Sequence, residues 1–205
     1  MTTPVLEKPT AQRAAVGVVT LRDINWAGFK AIEASFAGVR SVKLSYLAGV
    51  LEIMSPIGRQ HEYVKTTLGY LLEAYLREQG IRFYGCGGFT LETPGYSSNE
   101  PDESYCIGSY KETPDIAIEI IVTSGGLNRL DLYKPKAIPE VWLWRSGQLN
   151  VYLFEDGEYR EAPRSRLLPD LDLALLQRCL DYPDQYEAVQ AFQAAVRRGE
   201  PHQAD

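Results

Sequence analysis

The sequence predicts an α/β fold in which a mixed β-sheet is flanked by helices. His61–Glu78 places its apolar side chains at helical spacing. Ile116–Val122 is apolar at every position except Glu119, which is typical of a strand buried on both faces. Glu140–Trp144 is predicted as another strand, and a right-handed crossover through the intervening short helix would lay it parallel to the first.

The N-terminal part of the chain is predicted to contain one helix and one hairpin. Thr20 with Asp23 resembles a helix start, and the following apolar residues share one helical face: Trp26, Phe29, Ile32 and Phe36. From Val42 to Met54 two strands with alternating polar and apolar residues are joined by a turn at Ala48-Gly49.

The middle of the chain is predicted to continue with the helix from His61, which ends at Gly80. Three short strands follow, with a polar loop at residues 95–99 before the last of them: Arg82–Tyr84, Phe89–Leu91 and Glu103–Ile107.

The last part begins with a short helix at Leu127–Lys134 that Pro135 disturbs. After the Glu140 strand, we expect a hairpin and then two packing helices: Leu149–Phe154 with Tyr159–Glu161, then Asp172–Leu180 and Tyr186–Arg198. This order predicts a flexible arm at residues 1–16, a single domain at 17–198 and a polar tail at 199–205.

Composition limits the classes of function. With 205 residues, 45% of them hydrophobic, the chain is long enough for a sizeable core. A formal charge of −6 offers no overall attraction to nucleic acid, so such contact needs a bound metal or a local basic patch. Lys134, Lys136 and Arg145 could form that patch, or they could be an ordinary solvated face.

Cysteine usage and the absence of a signal-peptide pattern predict a cytoplasmic location. The three cysteines are far apart in sequence and lack the close pairs of a zinc site, so we expect reduced thiols. Only two histidines are present, which excludes a histidine-rich metal site. Neither a secretion signal nor a membrane span is predicted.

Glu119 is the anomaly of the sequence, because an ionised carboxylate in an apolar strand is costly unless it is paired, protonated or bound to a cation. Asp102 could supply a second carboxylate if its strand neighbours that of Glu119. A divalent cation between them would remove their repulsion. Asp115 has the same side-chain parity, but four strand residues separate it from Glu119 by roughly 13 Å.

Each of these residues also has a structural explanation. Glu119 could be satisfied by Arg129 or by backbone donors, and Asp102 could initiate a turn after Pro101. Glu62 lies off the apolar stripe of its helix, which favours a solvated carboxylate.

Several motifs occur in the order found in one protein family. They are Leu51–Pro56, His61-Glu62, Glu100–Glu103, Pro114–Glu119, Thr123–Gly126, Tyr133, Pro139–Trp142, and Ser165 with Leu168-Pro169. Pro101-Asp102 and, sixteen residues beyond it, Glu119 resemble the PD-(D/E)xK nuclease signature. More narrowly, residues 20–195 resemble the Uma2 family of restriction-endonuclease-like proteins.

The resemblance implies a restriction-endonuclease-like mixed sheet flanked by helices, and Mg²⁺-dependent cleavage of DNA. In this chain it implies that Asp102 and Glu119 hold Mg²⁺, helped by the Ile120 carbonyl and by water. The ion would activate a bound water and neutralise charge on the phosphate. Glu62 would add an outer carboxylate.

The sequence departs from the nuclease pattern at Ile121, where nucleases of this fold usually carry a lysine two positions after the acid. Relatives of this family often place a lysine after the Gly-Gly turn, and the matching residue is Arg129. Arginine could brace the phosphate but could not act as a general base. Lys134 is an alternative, although it would point to another side of the helix.

Two function hypotheses follow. The first is an endonuclease acting as a homodimer, because two sites are the simplest way to cut both strands of a duplex. The second is a catalytically silent member of the fold that binds nucleic acid or a protein partner. Asp102 and Glu119 favour the first, and Ile121 and Arg129 favour the second.

Overall fold

A computed structural model describes residues 17–39, 42–55, 58–122 and 126–199. The predicted arm at 1–16, the tail from 200 onward, Pro56 and residues 123–125 of the Gly-Gly turn lie outside these ranges. The strands are, in chain order, β1 Gly17–Leu21, β2 Lys43–Leu47, β3 Val50–Ser55, β4 Phe83–Gly85, β5 Leu91–Thr93, β6 Ser97–Asn99, β7 Glu103–Ile107, β8 Ile116–Ile121, β9 Glu140–Arg145, β10 Gln148–Glu155 and β11 Glu158–Ala162. The α-helices are α1 Trp26–Ser35, α2 Arg59–Glu78, α3 Arg129–Tyr133, α4 Leu173–Leu180 and α5 Gln185–Arg198. None of these helices is long and apolar enough to cross a membrane.

The first sheet has the strand order β1-β3-β2-β6-β5, and its pairs are all antiparallel. The predicted hairpin is confirmed as β2 and β3, which turn through Ala48 and Gly49 with φ of 45° and 91°. Helix α1 covers one face of this sheet, where Phe29, Tyr46 and Leu51 form a buried cluster.

Two local predictions in this sheet are wrong. Thr20 does not start a helix, because it lies in β1 opposite Glu52 of β3. The helix begins at Trp26, where the Asn25 side chain caps it by accepting from the Gly28 backbone N–H at 2.8 Å. The polar stretch at 95–99 is not only a loop, since its last three residues form β6 between β2 and β5.

The second sheet is mixed and has the order β11-β10-β9-β8-β7-β4. β8 and β9 are parallel, as the predicted crossover requires, and the other neighbours are antiparallel. Helix α2 begins two residues before the predicted start, at Arg59, while α3 is shorter than predicted and continues into a 3₁₀ turn at Lys134–Lys136.

Strand β8 is buried along its whole length, and its two faces pack against different layers. Ile116, Ile118 and Ile120 contribute to the apolar cluster that also contains residues of α2, α4 and α5. Ala117 and Ile121 belong to a second cluster with residues of α3. Glu119 has the parity of this second face, so its side chain lies on the side of α3.

Glu140 at the start of β9 is a buried carboxylate with a structural function. It accepts hydrogen bonds from the indole Nε1 of Trp142, the Ser165 hydroxyl and the backbone N–H groups of Arg166 and Leu167, at 2.7–2.9 Å. The donors of Ser165, Arg166 and Leu167 attach the segment that precedes α4 to the second sheet. The Pro139–Trp142 and Ser165 motifs are therefore explained by packing and hydrogen bonding.

Candidate active site

Asp102 and Glu119, together called the carboxylate pair below, converge on one point. Asp102 immediately precedes β7, and its backbone N–H donates to the Ile118 carbonyl of β8 at 3.0 Å. The Nζ atom of Lys43 lies 2.8 Å from Asp102 Oδ1 and 3.2 Å from Glu119 Oε2. The two strands are neighbours, and the two carboxylates share a single ammonium group.

The remaining oxygen of each carboxylate is held by another donor. Asp102 Oδ2 accepts from the Ile120 backbone N–H at 2.7 Å and lies 3.0 Å from His61 Nε2. Glu119 Oε1 accepts from the Tyr133 hydroxyl at 2.6 Å. Each carboxylate therefore has one oxygen fixed in place and one directed at the shared point.

The carboxylate pair, Lys43, His61 and Tyr133 are together called the centre below. Sequence reasoning did not assign Lys43 to it. This lysine comes from β2 in the first sheet, where it alternates with apolar neighbours in the predicted hairpin. Lys43 and Ser45 share the polar face of β2, and Glu52 of β3 lies opposite Ser45 on the same face of the sheet. This face is directed toward the second sheet, and Ser45 and Glu52 are buried. The Lys43 side chain is only 11% exposed. Alternation in one strand does not indicate such burial, because a polar strand face ordinarily meets solvent.

The charges of the centre stabilise one another. Burial alone would lower the pKa of Lys43, but Glu119 and Asp102 outweigh burial and raise it, so the side chain remains an ammonium. Burial would raise the pKa of Asp102, but Lys43 and His61 hold it well below its usual range. Burial and the charge of Glu119 raise the pKa of Tyr133, which therefore donates as a neutral phenol.

His61 and Glu62 connect the centre to the surface at the start of α2. His61 is buried, and its Nδ1 lies 3.3 Å from Oε1 of Glu62, whose side chain is 46% exposed. Glu62 also pairs with Lys65 at 2.8 Å. Burial opposes protonation of His61, but the hydrogen bond and charge of Asp102 together with the hydrogen bond to Glu62 outweigh burial and raise the pKa of the imidazole. Among the described residues, Glu62 is therefore linked to the carboxylate pair through His61.

Arg129 is buried beside the centre but is bound to other residues. Its Nη2 lies 3.0 Å from Glu52 Oε2, and its Nη1 donates to the Ser45 hydroxyl at 3.1 Å. Within the described ranges, no hydrogen bond or ion pair joins Arg129 to the carboxylate pair. Its guanidinium attaches α3 to the first sheet, so the structure does not bring it together with Asp102 and Glu119.

The other charged candidates lie elsewhere. Lys134 pairs with Asp131 at 2.8 Å and with Glu158 at 2.5 Å. Asp115 pairs with Lys111 at 2.6 Å and is not part of the centre. Asp115 and Glu119 therefore have different hydrogen-bond and ion-pair partners.

The side-chain donors available for a metal ion are one oxygen from each member of the carboxylate pair. Across the described residues, no group of three or more His, Cys, Asp and Glu side chains is arranged to hold a metal ion. Mg²⁺ in proteins is usually bound by one or two carboxylates, with waters and substrate phosphate completing its shell. The pair fits that donor set, and the position of the Lys43 ammonium shows that the shared point favours a cation.

A mixed sheet flanked by helices, with two carboxylates converging between neighbouring strands, defines a protein with a restriction-endonuclease-like fold. A family model described as "Uma2: Putative restriction endonuclease" matches residues 28–181. The chain belongs to the Uma2 family, as its motifs predict. No curated protein matches the chain.

Proposed function

We propose that this protein is a Mg²⁺-dependent endonuclease that hydrolyses DNA phosphodiester bonds at the carboxylate pair. The observation that carries the proposal is the convergence of Asp102 Oδ1 and Glu119 Oε2 on one cationic group. A buried pair of carboxylates repels itself, so the centre has to hold positive charge. Membership of the Uma2 family supports the nuclease class.

The chain supplies orientation and charge for this reaction. Hydrolysis adds one water across a P–O ester bond: the water oxygen bonds to phosphorus, and the departing sugar oxygen keeps the bonding electrons and takes a proton. When bound, the metal ion lowers the pKa of the attacking water and offsets charge on the phosphate. Asp102 and Glu119 would hold the ion, with the Ile120 carbonyl as a third oxygen ligand.

The surrounding donors keep the two ligand oxygens aimed at the shared point. His61 and the Ile120 backbone N–H hold the second oxygen of Asp102, and Tyr133 holds that of Glu119. Contacts of this kind fix the orientation of ligands and are commonly needed for metal affinity. Glu62 would act on the centre through His61, and Arg129 through its charge and its attachment of α3 to the first sheet.

Supercoiled plasmid provides the direct test. The wild-type protein with Mg²⁺ should nick or linearise the plasmid, and chelation by EDTA should stop cleavage. Asp102→Asn and Glu119→Gln should each reduce the rate by about a hundredfold or more. Asp115→Asn is the matched control, because it also removes the charge of a buried carboxylate but lies outside the centre. Circular dichroism would check that each variant is folded.

Equal cleavage by wild type, Asp102→Asn and Glu119→Gln would reject the proposal.

Sedimentation of the protein with and without DNA tests the homodimer that double-strand cleavage implies. We also propose a cytoplasmic location, because the free thiols of Cys86, Cys106 and Cys179 are typical of a reducing compartment. Fractionation of cells expressing the tagged protein would test it.

A second candidate is a binding module without catalytic activity. It is favoured by the fact that the Lys43 ammonium already pairs with both carboxylates and that the aliphatic Ile121 stands two residues after Glu119 in β8. This candidate predicts that labelled duplex DNA binds equally well in EDTA and in Mg²⁺ and is never cut. Gel-shift and cleavage measurements on the same samples would distinguish the two functions.

A further inference from the structure

The centre needs a cationic side chain if a phosphate is to approach it. The carboxylate pair and a phosphodiester together carry three negative charges, and one divalent ion offsets only two of them. Ile121, two residues after Glu119, cannot help, because it is aliphatic and packs in the apolar cluster beside α3. Arg129 is held by Glu52 and Ser45.

We infer that Lys43 is the cationic side chain of this centre: its ammonium bridges the carboxylate pair in the metal-free protein and faces the scissile phosphate when a divalent ion is bound. The inference rests on the proposed function and assigns a residue to it. The residue comes from β2 of the first sheet, whereas the carboxylate pair belongs to the second sheet.

The contacts of Lys43 fit this assignment. An ammonium has three N–H donors. Two of them are used by Asp102 Oδ1 and Glu119 Oε2, and no described residue accepts the third. That donor is available to a non-bridging phosphate oxygen. The four-carbon stem of lysine also allows the ammonium to shift when an ion takes over the two carboxylate oxygens.

A role in holding the two sheets together would have different consequences from a role in the reaction. A divalent ion and the Lys43 ammonium compete for the same two oxygens and repel each other. Removing the ammonium should therefore strengthen metal binding while it weakens cleavage. A residue that only supports the fold would weaken both when it is removed.

The experiment compares Lys43→Met with wild type, with Lys43→Arg and with Lys111→Met. Lys111→Met is the matched control, because it removes a lysine from a different buried aspartate, Asp115. Calorimetric titration of metal-free protein with Mn²⁺ gives the affinity, and plasmid nicking at saturating Mg²⁺ gives the rate.

We expect Lys43→Met to bind Mn²⁺ about tenfold more tightly than wild type, because like charges at contact distance repel. Its nicking rate should fall about a hundredfold, which is typical for loss of one donor to developing negative charge. Lys43→Arg should recover part of the rate because it keeps the charge, and Lys111→Met should match wild type in both measurements.

The outcomes separate this inference from the proposed function. If wild type cleaves through Asp102 and Lys43→Met cleaves equally fast, the inference fails and the function stands. If Lys43→Met loses cleavage and also binds Mn²⁺ more weakly, Lys43 is structural and the inference fails. If neither protein binds Mn²⁺ or cuts DNA, the proposed function fails, and the inference fails with it.

Discussion

Replacing Asp102 with asparagine should destabilise the metal-free protein strongly. The carboxylate accepts from Lys43, from His61 and from the Ile120 backbone N–H, and the Asp102 side chain is 5% exposed. Asparagine removes the charge, and its amide nitrogen cannot accept from any of these donors. The Lys43 ammonium would remain buried with Glu119 as its only carboxylate partner in the described part of the chain.

The expected loss can be set from the contacts. Removing one partner of a buried ion pair costs about 3–5 kcal/mol, because the other charge is left uncompensated. Lys43 retains Glu119 at 3.2 Å, so we expect the lower end of this range. A loss of about 3 kcal/mol corresponds to a fall in Tm of about 6–12 °C for a chain of this length.

A double-mutant cycle would attribute the loss to the ion pair. Asp102→Asn, Lys43→Met and the double variant are unfolded by heat and by urea at pH 7 in EDTA. The double variant should be about 1–3 kcal/mol more stable than the sum of the single losses predicts, because the second substitution removes the stranded charge. Strictly additive losses, or an unchanged Tm for Asp102→Asn, would refute the electrostatic account of the centre.

Three further predictions concern other positions in the fold. Glu140→Gln should lower the free energy of unfolding by about 2–4 kcal/mol, because an amide nitrogen would face N–H and O–H donors that now donate to the carboxylate. Urea denaturation measures the loss, and an unchanged midpoint would contradict the prediction. Gly88→Ala should lower the free energy of unfolding by about 1–3 kcal/mol, because the new Cβ would lie 2.8 Å from the Pro101 carbonyl oxygen and displace the backbone just before Asp102. Thermal denaturation measures the loss, and a Tm equal to that of wild type would contradict the prediction. Burial and the neighbouring Cys106 thiol raise the pKa of Cys86 to about 11. At pH 8, Cys86 should therefore carry roughly a hundredfold less reactive thiolate than an ordinary cysteine. The pH dependence of iodoacetamide labelling checks this, and Cys106→Ser should make Cys86 more reactive.

The thiols show how distance along the chain differs from distance in the fold. Cys86 and Cys106 are twenty residues apart in the sequence, which predicts reduced thiols but does not give their distance in the fold. Strands β4 and β7 pair, and this brings the two sulfur atoms within 3.7 Å of each other as free thiols. At this distance the two sulfur atoms are not joined by a disulfide, because an S–S bond is only about 2.05 Å long.

Local patterns were sufficient for most of the architecture. The apolar stripe of α2, the alternating hairpin of β2 and β3 and the buried run of β8 each follow from side-chain periodicity, and the structure confirms them. β6 is not predicted because it is short and polar, and β1 is not predicted because Thr20 and Asp23 resemble a helix start; both strands are stabilised by pairing with strands distant in sequence. Pairing of that kind leaves no periodic signal in the paired segment itself.

Half of the candidate centre was determined by the sequence and half by tertiary structure. Glu119 stands alone in an apolar strand, and burial of a charge requires a partner, so the need for a cation could be predicted without coordinates. Which cationic group pairs with Glu119 could not be predicted from the sequence. Lys43 is 59 residues before Asp102 and 76 before Glu119, in a strand of the other sheet. Only the packing of one sheet against the other decides that this lysine, rather than Arg129 or Lys134, lies between the two carboxylates.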